Sequence, residues 1–345
     1  ATDRRVPENS LSCTQILSPD PPSKDKVTTM SEDEGMEELV TEEMLWDRIP
    51  EVEGEERAST YYELSARIYA RGQYDEALAL AETARDIYSQ LGATVSSEGL
   101  AQAYSAIGYN LNQLKRMDEA ATAMSKAVEI LRENKSPIAL ELACTLGEWW
   151  YSSKKYDKVV ETMNECAQEH LVDGNEIGAA NDLHLIGCAE RELKNYEKAI
   201  EAFKEARSLF KRNKEVIHVA RCDQKMASCL IELGEGELAL ETARKAVDVF
   251  ETGHDHRRET FASFEFGKAQ ILLEKYDEGL ATLENVLAIV SEDEPKDFEF
   301  IVDIESRISK ILRMQGRIDE ADEIERRLKS VQEALEDEPE RDLLT

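Results

Sequence analysis

Asn181–Ala206 reads NDLHLIGCAERELKNYEKAIEAFKEA, and this stretch decides the fold. Leu183, Ile186 and Gly187 are followed by Leu193, then by Tyr196, Ala199, Phe203 and Ala206. The spacing gives two helical apolar stripes joined at a short turn centred on Asn195. Gly187 leaves room for a close helix crossing, Tyr196 plugs the turn, and Ala199 and Ala206 let the second helix lie against the first. The same register recurs with its turn position at Tyr74, Met117, Tyr156, Tyr196, Gly236, Tyr276 and Ile318, at separations of 43, 39, 40, 40, 40 and 42 residues.

The alternation of small and large residues resembles the tetratricopeptide repeat, whose signature is an aromatic, Leu-Gly, Tyr, then Ala and Phe. The Leu-Gly pair is literal in Leu146-Gly147 and appears as Ile107-Gly108, Ile186-Gly187 and Phe266-Gly267, with Leu64-Ser65, Met226-Ala227 and Ile308-Ser309 as small-residue variants. The Ala after the turn is Ala77, Ala120, Ala199, Ala239 and Ala321, while Val159 and Gly279 depart from it. A period near 40 exceeds the 34-residue form of the repeat and is similar to the kinesin-light-chain-like and peptide-sensor arrays. The resemblance implies an all-α, right-handed superhelical solenoid of about seven helix-turn-helix units.

Length alone would suggest about two domains, but a solenoid grows by stacking units and overrides that count. Four segments follow: a tail over 1–30, an acidic amphipathic helix and linker over 31–57, the repeat array over 58–335 and an acidic tail over 336–345. In the second, Ser31-Glu32-Asp33-Glu34 fits a capping box, and Met36, Leu39, Val40, Met44 and Ile49 predict a helix over 32–48, stopped by Pro50. This helix caps the first repeat or engages a partner or the groove, with Trp46 as anchor. In the seventh unit Glu325 stands where Phe203 stands, which makes its outer face wet, as a terminal repeat requires.

The formal charge of −31 argues against a nucleic-acid backbone or an anionic membrane surface as the main partner. No apolar run approaches the roughly 18 to 20 residues of a membrane helix, and ATDRRVPENS has no signal-peptide apolar region. Cys13, Cys144, Cys166, Cys188, Cys222 and Cys229 show no framework spacing, so reduced thiols and a cytoplasmic setting are expected.

The resemblance implies that the first helix of each unit lines a concave groove for an extended or helical peptide. Positions 15, 12, 8, 5 and 4 before each turn residue then supply the contacts. The first three units offer Tyr62, Tyr69, Gln102, Tyr109, Asn112 and Tyr151, a face of aromatic rings and neutral hydrogen-bonding groups. The last four offer Asn181, His184, Arg191, Arg221, Gln224, Phe264, Lys268, Lys310 and Arg313, a basic face that would attract an acidic or amphipathic segment. The plainer alternative for these cations is intra-helix pairing, such as Glu265 with Lys268 three residues on. The two-carboxylate clamp of chaperone-binding members is absent: its Lys and Asn positions hold Tyr62 with Ala66, Ser105 with Tyr109, and Cys144 with Glu148.

His184 with Cys188, four apart, and His254-Asp255-His256 are metal-like groupings, and neither has a second ligand pair at metal-site spacing. No phosphate loop or nucleophile elbow occurs. The expectation is a non-enzymatic scaffold without metal or cofactor that binds another protein or peptide. Two alternatives are a switch whose acidic helix fills the groove in cis, and an assembly subunit that oligomerises through repeat ends or its convex face.

Overall fold

The computed structural model describes residues 41–92, 97–292 and 297–336, so the tail over 1–30, the Ser31 capping box and the tail beyond residue 336 lie outside it. Fifteen helices and no strand are found among the described residues. They form two compact units divided between Gly174 and Asn175. The first contains α1 (Glu42–Arg48) and the pairs α2 (Gly54–Ala70) with α3 (Tyr74–Leu91), α4 (Ser97–Gln113) with α5 (Met117–Glu133), and α6 (Ile138–Ser152) with α7 (Tyr156–Val172). The second contains α8 (Glu176–Glu192) with α9 (Tyr196–Arg212), α10 (Val216–Glu232) with α11 (Gly236–Thr252), α12 (His256–Leu272) with α13 (Tyr276–Glu292), and α14 (Phe298–Met314) with α15 (Ile318–Glu336).

All seven expected turn residues are the first residue of the second helix of a pair. The turn before each is a Schellman closure. At Lys194 the backbone enters the left-handed region, φ 62°, its N–H donates to the Arg191 carbonyl at 2.9 Å, and the Asn195 N–H donates to the Glu190 carbonyl at 2.8 Å. Gly72, Lys115, Lys154, Gly234, Glu274 and Gly316 close the other six turns in the same way. A side chain there costs about 1 kcal/mol, and the satisfied carbonyls offset it.

Each pair is locked by one knob and one hole. The residues seven after the turn positions are Ala81, Met124, Met163, Phe203, Ala243 and Leu283, each at most 1% exposed. Opposite them, nine before the turn, stand Ser65, Gly108, Gly147, Gly187, Ala227 and Gly267. A Cβ at Gly187 would lie 2.6 Å from the Phe203 ring. The large knobs thus go with glycine and the alanine knobs with Ser65 or Ala227.

The seventh pair replaces this apolar lock with a polar one. Glu325 accepts from the Ser309 hydroxyl at 2.7 Å and from Arg313 Nε at 2.8 Å, and Arg313 also pairs with Asp322 at 2.6 Å.

Of the helix expected over 32–48, residues 32–40 lie outside the described residues, and the described part is α1. Thr41 is extended, ψ 162°, and its hydroxyl accepts from the Met44 N–H, which caps the start of α1. Leu45 is fully buried against Leu64, Ile68, Ala77 and Leu80, while Trp46 is 44% exposed. The described part of this segment therefore packs on the first pair.

Candidate functional site

In the first unit, five of the six expected contacts converge. Tyr62, Tyr69, Gln102, Tyr109 and Asn112 line one cavity of about 410 Å³ formed by the first helices of the three pairs. Gln113 Nε2 donates to the Tyr69 hydroxyl at 3.1 Å and bridges α2 to α4. Tyr109 sets its ring edge-on to Trp149, centroids 5.4 Å apart and planes at 90°. Burial first, and then Glu141, pushes the Tyr109 phenol up to about 12, with a hydrogen bond to Thr145 opposing. Burial likewise raises Tyr62 and Tyr69, so all three present neutral rings. Tyr151 is the exception, since it does not line the cavity and packs edge-on to Tyr156 at 5.4 Å.

Position counting missed Asn110, Thr145 and Trp149, which also line the cavity. They lie 7, 11 and 7 residues before their turn positions, one residue C-terminal to the counted 8 and 12. One residue is about 100° of helix rotation, so the lining face turns along the stack. Gly108 makes this possible: a Cβ there would stand 3.1 Å from the Trp149 ring, and its absence lets the indole in.

In the second unit the expected basic face is thinner. Lys268 is 8% exposed, with Nζ 2.8 Å from Glu265 and 5.2 Å from the centre of the Phe264 ring. Phe264 is itself buried, against Leu280 and Leu283, with Phe300 edge-on at 5.0 Å. Neither is on an open face, because both fill the interior between pairs. Arg313 is held by Glu325 and Asp322 on α15, and Arg191 stands 2.6 Å from Glu192. Gln224 is half-buried, whereas Asn181 and Lys310 are exposed.

His184, Arg191, Arg221 and Lys225 form a cationic neighbourhood. Burial first, then Arg221 and Lys225, hold His184 well below the usual imidazole range. Lys225 is lowered by burial and then by Arg191. His184 Nδ1 lies 3.8 Å from Cys188 Sγ, but the surrounding positive charge repels a metal cation. His254-Asp255-His256 is a helix start: the Asp255 carboxylate accepts from the Arg258 N–H at 3.2 Å, and His254 takes the left-handed φ of the turn. The described cysteines Cys144, Cys166, Cys188, Cys222 and Cys229 are buried and in no disulfide. No described helix is long and apolar enough to cross a membrane.

A family profile described as Tetratricopeptide repeat matches residues 101–134 and 183–211, which are α4 with α5 and α8 with α9. No curated protein sequence matches the chain. Among solved structures, the fold is similar to a signal transduction ATPase with a tetratricopeptide repeat sensor from Pyrococcus horikoshii, at 17% identity and a TM-score of 0.61. That match covers 86% of this chain and 45% of the ATPase, so the chain spans less than half of that protein's length. The apo form of RapI is similar at 14% identity and a TM-score of 0.54, over 81% of this chain and 99% of RapI. BtubC from P. vanneervenii is similar at 17% identity and a TM-score of 0.55, over 66% of this chain and 97% of that one. The profile match shows tetratricopeptide repeats at α4 with α5 and α8 with α9, and the solved structures share the fold of the seven Schellman-closed pairs.

Proposed function

We propose that the chain is a non-enzymatic scaffold that holds an amphipathic segment of another protein on the inner faces of its first helices. The observation that carries this reading is the 410 Å³ cavity, in which Tyr62 and Tyr69 of the first repeat meet Gln102, Tyr109 and Asn112 of the second and Thr145 and Trp149 of the third. Concave sites of this size, apolar with a few polar groups, are the usual form of a binding site. The lining contains no His, Cys or Lys, which fits recognition better than catalysis. The repeat array of the similar Pyrococcus ATPase is described as a sensor, which is compatible with a binding role.

A second reading, an acidic segment on the second unit, is favoured by Arg221 and Lys225 beside His184, with Arg191, itself paired with Glu192, next to them. Lys268 and Arg313 take no part in it, being held by carboxylates of their own repeats.

The test is capture of partners on the full chain beside two variants, Tyr62→Ala with Gln102→Ala and Arg221→Glu with Lys225→Glu, followed by titration of each purified partner. Circular dichroism verifies that both variants keep their helicity. Loss on the first variant alone supports the cavity, and loss on the second alone supports the acidic-segment reading. Equal affinity for all three proteins overturns both.

A further inference from the structure

The cavity in the first unit has a sign. Its charged lining residues are Glu98 and Glu141, and neither Lys nor Arg is among the residues that line it. A more open depression beside it shares Glu98 and Gln102 and adds Glu55, with Glu56 next to it already held by Arg48 at 2.5 Å, so carboxylates continue along one rim. Tyr62, Tyr69, Tyr109 and Trp149 contribute four aromatic rings within the same cavity. Ring faces carry negative potential and attract cations, most strongly where water is displaced.

A buried acceptor adds an independent observation. Asn110 is 1% exposed and lines the cavity. Its Nδ2 donates to the Ala106 carbonyl at 2.8 Å, and this bond directs the amide. Oδ1 is then a buried acceptor with no hydrogen-bond partner among the described residues. Such an atom is costly unless a donor reaches it.

From the acidic rim, the four rings and the Asn110 acceptor, we infer that the cavity receives a cationic side chain, Lys or Arg, from the bound segment. This rests on the proposed peptide-binding role and names the chemistry of the ligand at this cavity. The ammonium or guanidinium donates to Asn110, and Glu98 and Glu141 supply the opposite charge. Its methylene stem lies along the rings, as long cationic side chains do on apolar surfaces. Apolar neighbours of that residue fit the Ile138 and Leu142 side of the cavity. The acidic segment near residues 32–48 has the wrong sign for this cavity, which argues against its occupying it in cis.

The experiment is selection of an unbiased displayed peptide library on the intact chain, followed by titration of the selected peptides through tryptophan fluorescence. Selected peptides should share a Lys or Arg beside apolar residues, and replacing that residue by norleucine should weaken binding about tenfold or more. On the chain, Glu98→Lys with Glu141→Lys should weaken binding by a similar factor. Asn110→Leu should do so without reversing any charge, and unchanged helicity of each variant excludes unfolding. Peptides that need the cavity but carry Asp, Glu or no charge would overturn the cation inference and leave the peptide-binding role standing. Peptides indifferent to Tyr62→Ala and Gln102→Ala would overturn that role at this cavity as well.

Discussion

Burial first, and then Arg221 and Lys225 beside it, disfavour a proton on His184, so the fold holds this imidazole well below the usual range. The consequence is a pH dependence whose sign follows from linkage. The folded pKa lies below the unfolded value of about 6.5, so the folded state binds fewer protons than the unfolded chain in that window. The associated stability is present above about 6.5 and is lost as pH falls towards the lowered folded value. Denaturant midpoints should therefore decline on acidification from neutrality. His184→Gln should flatten the decline without abolishing it, because His218 is also lowered, by burial first and then Arg221. An identical slope in the variant would refute this account.

The helix pair is the element at which the sequence was most legible. A glycine nine residues before a turn and a large residue seven after it specify a close crossing, and alanine on both sides specifies the same crossing with the volume redistributed. A double-mutant cycle at Gly187 and Phe203 tests this directly. Gly187→Ala should cost about 1–3 kcal/mol by overpacking, since the new methyl would stand 2.6 Å from the ring. Phe203→Ala alone should cost about 3–5 kcal/mol through the cavity it leaves. The double variant, which copies the Ala227 and Ala243 pair, should be less destabilised than the sum by about 1 kcal/mol or more in urea melts. Strict additivity would mean that the two positions do not share one space. The same positional logic reaches the tyrosines of the first repeat and most of the second, where it omits Asn110, and goes astray in the third, where the lining advances by one residue. A fixed count has no access to that rotation, because it depends on how much volume each crossing encloses. The cations show the same limit: Glu265 three residues before Lys268 is readable in sequence, but Glu325, which holds Arg313 from the facing helix, is fixed only by packing.

At the scale of the whole molecule the dominant quantity is the charge of −31, legible from composition and independent of any contact. Self-repulsion of such a chain opposes compaction, whereas exposed ion pairs on its surface contribute little individually. Pairs such as Arg116 with Glu119 and Arg317 with Glu320, both about half-exposed, belong to that weak class. Salt weakens both effects, but repulsion extends over the whole array and is screened most, since the Debye length falls from about 30 Å at 0.01 M to about 8 Å at 0.15 M. Sodium chloride over this range should therefore raise the thermal midpoint by several degrees. A midpoint that falls would show that the local pairs outweigh the global repulsion. The same screening should weaken a basic peptide bound at Glu98 and Glu141, so one titration series moves stability and affinity in opposite directions.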